Sequence, residues 1–331
     1  MDAADVERAL TRVMRRIDSP LGEVRSLQRV TGGATKRTWS FDWHAAGHVD
    51  RLILQTVDAL PARRHGPPKL AAAEDAALMV AARRAGVAAP VVRHVLQPDD
   101  ALGDGTITER VDGETLGRKV VHDPALAPAR RRLAAQCGAA LARIHRMPPG
   151  GLGFLQRLSP ADELATYGAL LAEHDLGDPA LAYALRWVGA NLPRRWDVGV
   201  VHADFRTGNL IVGPEGLACI LDWEIARIGD PMQDLAVLCL RTWRFGGAGE
   251  VGGFGSRAEL YAAYEAAGGR VDVERVRFWE AFSNLKWAIS CVRRGLATRA
   301  DGRPASLELA AVGRRLEEPL WDFLALARSV A

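Results

Sequence analysis

The 331-residue chain is poor in cysteine: Cys137, Cys219, Cys239 and Cys291 lie far apart and form no CxxC pair. That spacing argues against a zinc knuckle or a disulfide framework. Isolated buried thiols in a reducing cytoplasm are the better reading, with a pairing across the fold left open. Charge of one sign is also lacking. The formal net charge is +3, and the basic residues are scattered singly or in pairs, so no nucleic-acid stripe is present. No apolar run approaches the ~20 residues needed to cross a bilayer. The N-terminus, MDAADVERALTRVMRRID, mixes acids, bases and apolar residues like an amphipathic helix and lacks the apolar centre of a signal peptide. There is no repeat, and no low-complexity tract beyond a richness in alanine. No Ser or Cys stands in a nucleophile elbow, and His202 and Asp204 are too close in sequence for a triad, which weakens a hydrolase reading.

What is present divides the chain in two. The first third is of mixed α/β character. Leu27–Val30, residues 36–43 (KRTWSFDW) and residues 51–57 (RLILQTV) have strand composition. Residues 70–85 are alanine-rich and end at Gly86, which suits a helix. Val91–Leu96 and Thr106–Val111 suit a hairpin. After Asp112-Gly113 the spacing turns helical over 127–147, 160–173 and 179–192. A β island follows at 199–221, and then mostly helix, ending in one helix over 307–324 with Pro319 as a kink. The expectation is an α+β fold of two lobes: 1–112 with an antiparallel sheet plus helix, and a larger, mainly helical 113–331. A cleft between lobes is a good place for a ligand.

The most informative stretch is His202-Ala203-Asp204-Phe205-Arg206-Thr207-Gly208-Asn209, followed by Ile220-Leu221-Asp222-Trp223-Glu224. Gly199–Val201 is a strand that delivers a polar loop. Leu210–Val212 leaves that loop as a strand, Gly213–Gly216 turns, and Leu217–Leu221 returns to present Asp222. A hairpin of this length brings Asn209 and Asp222 together at its open mouth. Two oxygen ligands with open positions suit Mg²⁺. Asp204, just ahead, is placed to accept the proton of an incoming hydroxyl. A lone Asp or Asn in a loop ordinarily forms a turn; four polar residues in this order around a short hairpin are a different matter. Asp230 before Pro231 reads equally as a helix cap. Glu224 is open between a metal shell and a helix start. His94 and His145 read as ordinary buried or surface histidines, and Arg63-Arg64-His65 as a solvated loop.

The pattern H-x-D-x-x-x-x-N, then L-D-W-x, resembles the aminoglycoside phosphotransferase and choline kinase superfamily. The runs Gly229–Ala236 (GDPMQDLA) and Leu141–His145 (LARIH) do so too. The wording is closest to the branch that includes domains fused to acyl-CoA dehydrogenases. The resemblance implies a two-lobed, protein-kinase-like fold, ATP and Mg²⁺ as cofactors, and a small-molecule hydroxyl acceptor, with no nucleic acid or membrane partner. Asp204 would be the catalytic base and His202 its brace. Asn209 and Asp222 would hold Mg²⁺, while Asp230 and Asp234 would support the scaffold. Gly32, Gly33, Thr35 and Lys36 would belong to a nucleotide-covering loop. Glu74 would be the helix glutamate, and Glu109 to Val111 the hinge that meets adenine. One departure stands out: RLILQTV carries Gln55 where a basic phosphate-gripping residue belongs. Either Lys36 or an arginine reaches in instead, or nucleotide binds weakly, or the chain is a pseudokinase without turnover. Residues 231–331 hold 12 acidic and 14 basic residues. That balance leans away from polycationic aminoglycosides and towards a hydroxyacyl thioester or another neutral or anionic alcohol. Arg241, Arg244, Arg257, Arg293 and Arg294 are candidates to meet an anion there. Of the tryptophans, Trp187, Trp196, Trp243, Trp279, Trp287 and Trp321 read as helix-packing residues, one or two of them lining the acceptor pocket.

Overall fold

The computed structural model describes residues 2–30, 36–57, 66–174, 176–298 and 302–328. Arg63-Arg64-His65 lies outside them.

The chain opens with α1 (Ala3–Ile17), started by the Asp2 side chain accepting the Asp5 N–H at 2.8 Å. Its buried residues Val6, Ala9, Leu10, Val13 and Met14 recur at helical spacing and seal one face of a sheet. That sheet holds β1 (Glu23–Val30), β2 (Lys36–Ala45), β3 (His48–Val57), β4 (Val92–Val95) and β5 (Asp104–Glu109), in the antiparallel order β1-β2-β3-β5-β4. Leu52 and Leu54 of β3 point to α1, so period-two alternation turns Ile53, Gln55 and Val57 to the other face. Between β3 and β4 runs α2 (Ala72–Arg84). Although early in the chain, α2 sends Leu78, Met79 and Ala82 into the larger core, with Leu133, Cys137 and Leu141.

The second part begins after Gly113, whose φ is +149°. A Cβ there would stand 2.8 Å from the Val212 carbonyl, because Glu114 and Val212 exchange backbone hydrogen bonds of 2.9 and 3.0 Å. The helices are α3 (Gly117–His122), α4 (Ala127–His145), α5 (Pro160–Ala172) and α6 (Pro179–Ala190). The latter two each have Pro at N1 behind a Ser159 or Asp178 cap. Short strands β6 (Gly199–Val201), β7 (Leu210–Gly213), β8 (Gly216–Ile220) and β9 (Arg227–Gly229) pair as β6–β9 and β7–β8. Then come α7 (Met232–Cys239), α8 (Arg257–Ala266), the long α9 (Val273–Gly295), α10 (Leu307–Gly313) and α11 (Glu317–Arg328).

The expected single last helix is two. Its break falls at Gly313, which lies so close to Gly295 that a Cβ on it would be 2.4 Å from the Gly295 Cα. Pro319 does not kink a helix; it sits in the first turn of α11, where its missing N–H has no partner to lose. All four cysteines are buried free thiols. No helix among the described residues is long and apolar enough to cross a membrane.

Candidate active site

The loop after β6 is held from beneath. Asp234, fully buried on α7, accepts the backbone N–H of His202 at 2.8 Å and of Ala203 at 2.7 Å. His145 Nε2 meets the same carboxylate at 3.1 Å, and its Nδ1 meets the Tyr264 hydroxyl at 2.8 Å. Burial would raise the Asp234 pKa, but the bond and charge of His145 and the His202 amide outweigh it and hold it below the ordinary carboxylate range. This clamp fixes Ala203 at φ +67°, a left-handed conformation that an alanine does not adopt unaided. Asp230 also serves as scaffold: it takes the Trp279 Nε1–H at 2.7 Å and the Met232 N–H at 3.1 Å, the cap-like use its place before Pro231 suggested.

On this base the polar side chains converge. His202 is buried, and burial lowers its pKa, so the ring is neutral. Its Nδ1 accepts the Asp204 N–H at 3.3 Å, and its Nε2 bonds the Leu221 carbonyl at 3.0 Å, joining the loop to the far arm of the hairpin. Asp204 is half-buried. Its Oδ2 accepts the Asn209 Nδ2–H at 2.8 Å and its Oδ1 the Arg206 Nε–H at 2.9 Å. The β7–β8 register extends through the Leu221 N–H to Asn209 carbonyl bond of 2.8 Å, which sets Asn209 beside Asp222. Asp222 itself has φ +63°. With the Asn209 amide nitrogen committed to Asp204, its amide oxygen is the atom left to serve as a ligand. Amide and carboxylate oxygens are hard donors of the kind a small divalent cation takes, so this donor set fits Mg²⁺.

The facing crevice is lined by Lys36, Gln55, Val57, Leu70, Ala72, Asp75, Gly105, Thr106 and Glu224. Lys36 Nζ lies 3.2 Å from Asp222, 3.4 Å from Glu224 and 3.6 Å from Asp75. Burial alone would depress the ammonium, but the charges of Asp222, Asp75 and Glu224 overcome it and raise the pKa well above that of free lysine. Asp75 has the opposite fate: burial outweighs Lys36 and raises its carboxyl. Glu224 sits in a turn, not at a helix start, and also pairs with Lys69.

Glu74, expected as the helix glutamate, does not face Lys36. Glu74 turns back to cap its own helix, accepting the Ala71 N–H at 2.9 Å, and Asp75 faces the lysine. Gln55 is in the crevice, on the same sheet face as Lys36, because Thr38 pairs with Gln55 and Lys36 with Val57. Glu109 ends β5 with its carboxylate on Arg93 at 3.3 Å, on the sheet face of Leu52 and away from that of Gln55. Val111 makes no backbone hydrogen bond among the described residues, which leaves its N–H and carbonyl available in the link between lobes. Gly32, Gly33 and Thr35 lie outside the described residues. A larger apolar cavity of about 260 Å³, lined by Leu176, Val292 and Leu316 among others, shares no residue with this site.

The model of the phosphotransferase enzyme family matches residues 26–279. The chain belongs to that family. Among curated relatives, mouse acyl-CoA dehydrogenase family member 10 is 29% identical over 161 residues, which is 44% of this chain and 15% of that longer protein. A candidate aminoglycoside phosphotransferase from Ralstonia eutropha JMP134 shares the fold at TM-score 0.71 and 19% identity, covering 97% of this chain and 98% of its own. LicA, a choline kinase of Streptococcus pneumoniae, solved with AMP, does so at TM-score 0.62 and 16% identity, covering 96% and 99%. The chain is thus two-lobed and kinase-like in fold. Asp234, expected as scaffold, holds the loop, and His145, which reads as an ordinary histidine, braces Asp234 from 89 residues away, a pairing that no local spacing announces.

Proposed function

We propose that the chain transfers the γ-phosphoryl group of ATP to a hydroxyl of a small molecule. The observation that supports this reading is a clamped β-loop-β unit on which Asn209 bonds Asp204 and the Leu221 N–H bonds the Asn209 carbonyl, bringing the next residue, Asp222, to the same end of the hairpin, opposite a crevice with a buried lysine. Asp204 orients the acceptor hydroxyl and takes its proton as the oxygen attacks phosphorus; the bond to the ADP oxygen breaks and ADP leaves. Neutral His202 keeps the loop against Leu221 by donating its Nε2–H to that carbonyl, and it relays no proton to the reacting groups. Asn209 and Asp222 would hold Mg²⁺, with Glu224 close by; the bound ion supplies charge neutralisation at the phosphate oxygens. Val111, with Glu109 before it, offers backbone to adenine, and Gln55 offers the phosphates an amide.

The acceptor is read from the wall beside Asp204. The Arg206 guanidinium lies 4.5 Å over the Trp243 ring, Trp243 stands 4.9 Å from Trp287, and Arg294 lies 5.4 Å over Trp287. Two guanidinium groups on flat apolar faces repel a polycation and suit a neutral or anionic alcohol, a hydroxyacyl thioester among them. Incubation with ATP, Mg²⁺ and matched anionic, neutral and cationic alcohols, read by mass gain of one phosphoryl group, tests both parts. Phosphorylation of anionic or neutral members is the expected result. Preference for an aminoglycoside would overturn the acceptor reading, and ATP consumption independent of Asp204 would overturn the catalytic one. The alternative of a pseudokinase rests on Gln55, and the lysine already in the crevice weakens that motive.

A further inference from the structure

We infer that Lys36 is a removable counter-ion: it holds Asp75, Asp222 and Glu224 together in the empty protein and transfers to the phosphates of an arriving nucleotide, so that divalent ion and nucleotide load together and the ion alone loads poorly. This rests on the reading of the crevice as the nucleotide–metal site.

Three observations support it. First, the ammonium is shared and not locked. Its distances of 3.2, 3.4 and 3.6 Å to three carboxylates all exceed the ~2.7–2.9 Å of a tight charge-assisted bond. A lysine has a flexible four-carbon stem and rotatable donors, so it can change partners without moving the backbone. Second, it stands where positive charge is wanted. Asp222 and Glu224 come from the metal side, Asp75 from α2, and Lys36 from the edge of the crevice beside β3. A divalent ion approaching Asp222 meets an ammonium already bonded to that carboxylate, and like charges at this range oppose each other strongly when half-buried. Third, no other cation lines the crevice among its described residues. Gln55 shares the sheet face but has no charge, and Lys69 meets Glu224 from outside the lining. Among the described lining residues, Lys36 is therefore the cation that a nucleotide's phosphates would meet. Once the ammonium turns to them, Asp75 and Asp222 are freed together, and Glu224 keeps its pair with Lys69. The charge that Gln55 cannot supply comes from the neighbouring strand, and the same group that grips the phosphates guards the metal seat.

The test uses the full chain with Mn²⁺ as probe, free ion being followed by its EPR signal, and ATP binding by calorimetry. In the wild-type chain Mn²⁺ alone binds weakly and ATP tightens it. Lys36→Met is expected to bind Mn²⁺ alone at least about tenfold tighter, and ATP at least about tenfold weaker, with most of the coupling lost. Gln55→Lys keeps Lys36 and adds a second ammonium to the same face. It is expected to weaken Mn²⁺ alone further and to tighten ATP, and it decides the matter should Lys36→Met fail to fold. Mn²⁺ affinity unchanged or weaker in folded Lys36→Met, or unchanged by Gln55→Lys, overturns the inference. So does uncoupled binding of Mn²⁺ and ATP to the wild-type chain, which leaves the proposed function standing. Absence of any ATP or Mn²⁺ binding to the wild-type chain overturns both.

Discussion

The two walls of the cleft are built on different principles. The loop after β6 is clamped by short hydrogen bonds to buried groups: Asp234 takes two backbone N–H groups at 2.8 and 2.7 Å, and a neutral histidine ties the loop to the opposite strand. The crevice opposite is held by one lysine among three carboxylates at 3.2 to 3.6 Å. Hydrogen bonds to a buried carboxylate fix atoms where small displacements are costly to catalysis. Longer ion pairs keep charges assembled yet exchangeable where a charged ligand must enter. On the proposed function, the molecule is fixed where chemistry needs geometry and loose where binding needs rearrangement.

Substitutions on each wall sharpen that contrast. The largest effect is expected from Asp204→Asn: turnover falls by about 10²–10⁴, while ATP affinity by calorimetry changes little. A parallel loss of ATP affinity would merge the two walls into one. Next is Asp234→Asn, which weakens a buried anion that accepts two backbone amides. A loss of about 2–3 kcal/mol in urea unfolding is expected, with turnover falling alongside it and nucleotide affinity falling less. The pH dependence has a definite sign. The Asp234 carboxyl is depressed below its ordinary value of 3.8, so its stabilisation is fully present above about that pH and fades as pH falls below it. Acid unfolding of Asp234→Asn should therefore lack part of the steep limb below pH 4 seen in the wild-type chain; identical limbs would contradict the clamp. The smallest and most discriminating comparison is Glu74→Gln against Asp75→Asn. The first should cost at most about 1 kcal/mol of stability, through its cap, and leave ATP binding alone. The second should change metal and nucleotide binding. Equal effects on nucleotide affinity would return the role to Glu74.

Much of the clamped wall was legible in the sequence because its parts are near neighbours in the chain. A polar loop between apolar triplets, with a hairpin long enough to return Asp222 to Asn209, dictates proximity by strand pairing alone. The other wall is assembled from β2, α2 and a turn beyond β8, and its contacts cross up to 186 residues. That Asp75 and not Glu74 faces the lysine was nevertheless readable. Asp75 stands three, four and seven residues before Leu78, Met79 and Ala82, the face that α2 buries, whereas Glu74 lies in the first turn, three residues after Ala71. β9 has only three residues, too few for alternation to show. The division of the last helix depended on the meeting of Gly295 and Gly313, which neither segment announces by itself.

The account stands most directly on the fate of phosphorus. A ³¹P NMR time course with ATP, Mg²⁺ and the acceptor panel should show a new phosphomonoester resonance growing in step with ADP in the wild-type chain, and none with Asp204→Asn. Growth of ADP with inorganic phosphate alone, or an equal phosphomonoester signal from Asp204→Asn, would contradict it.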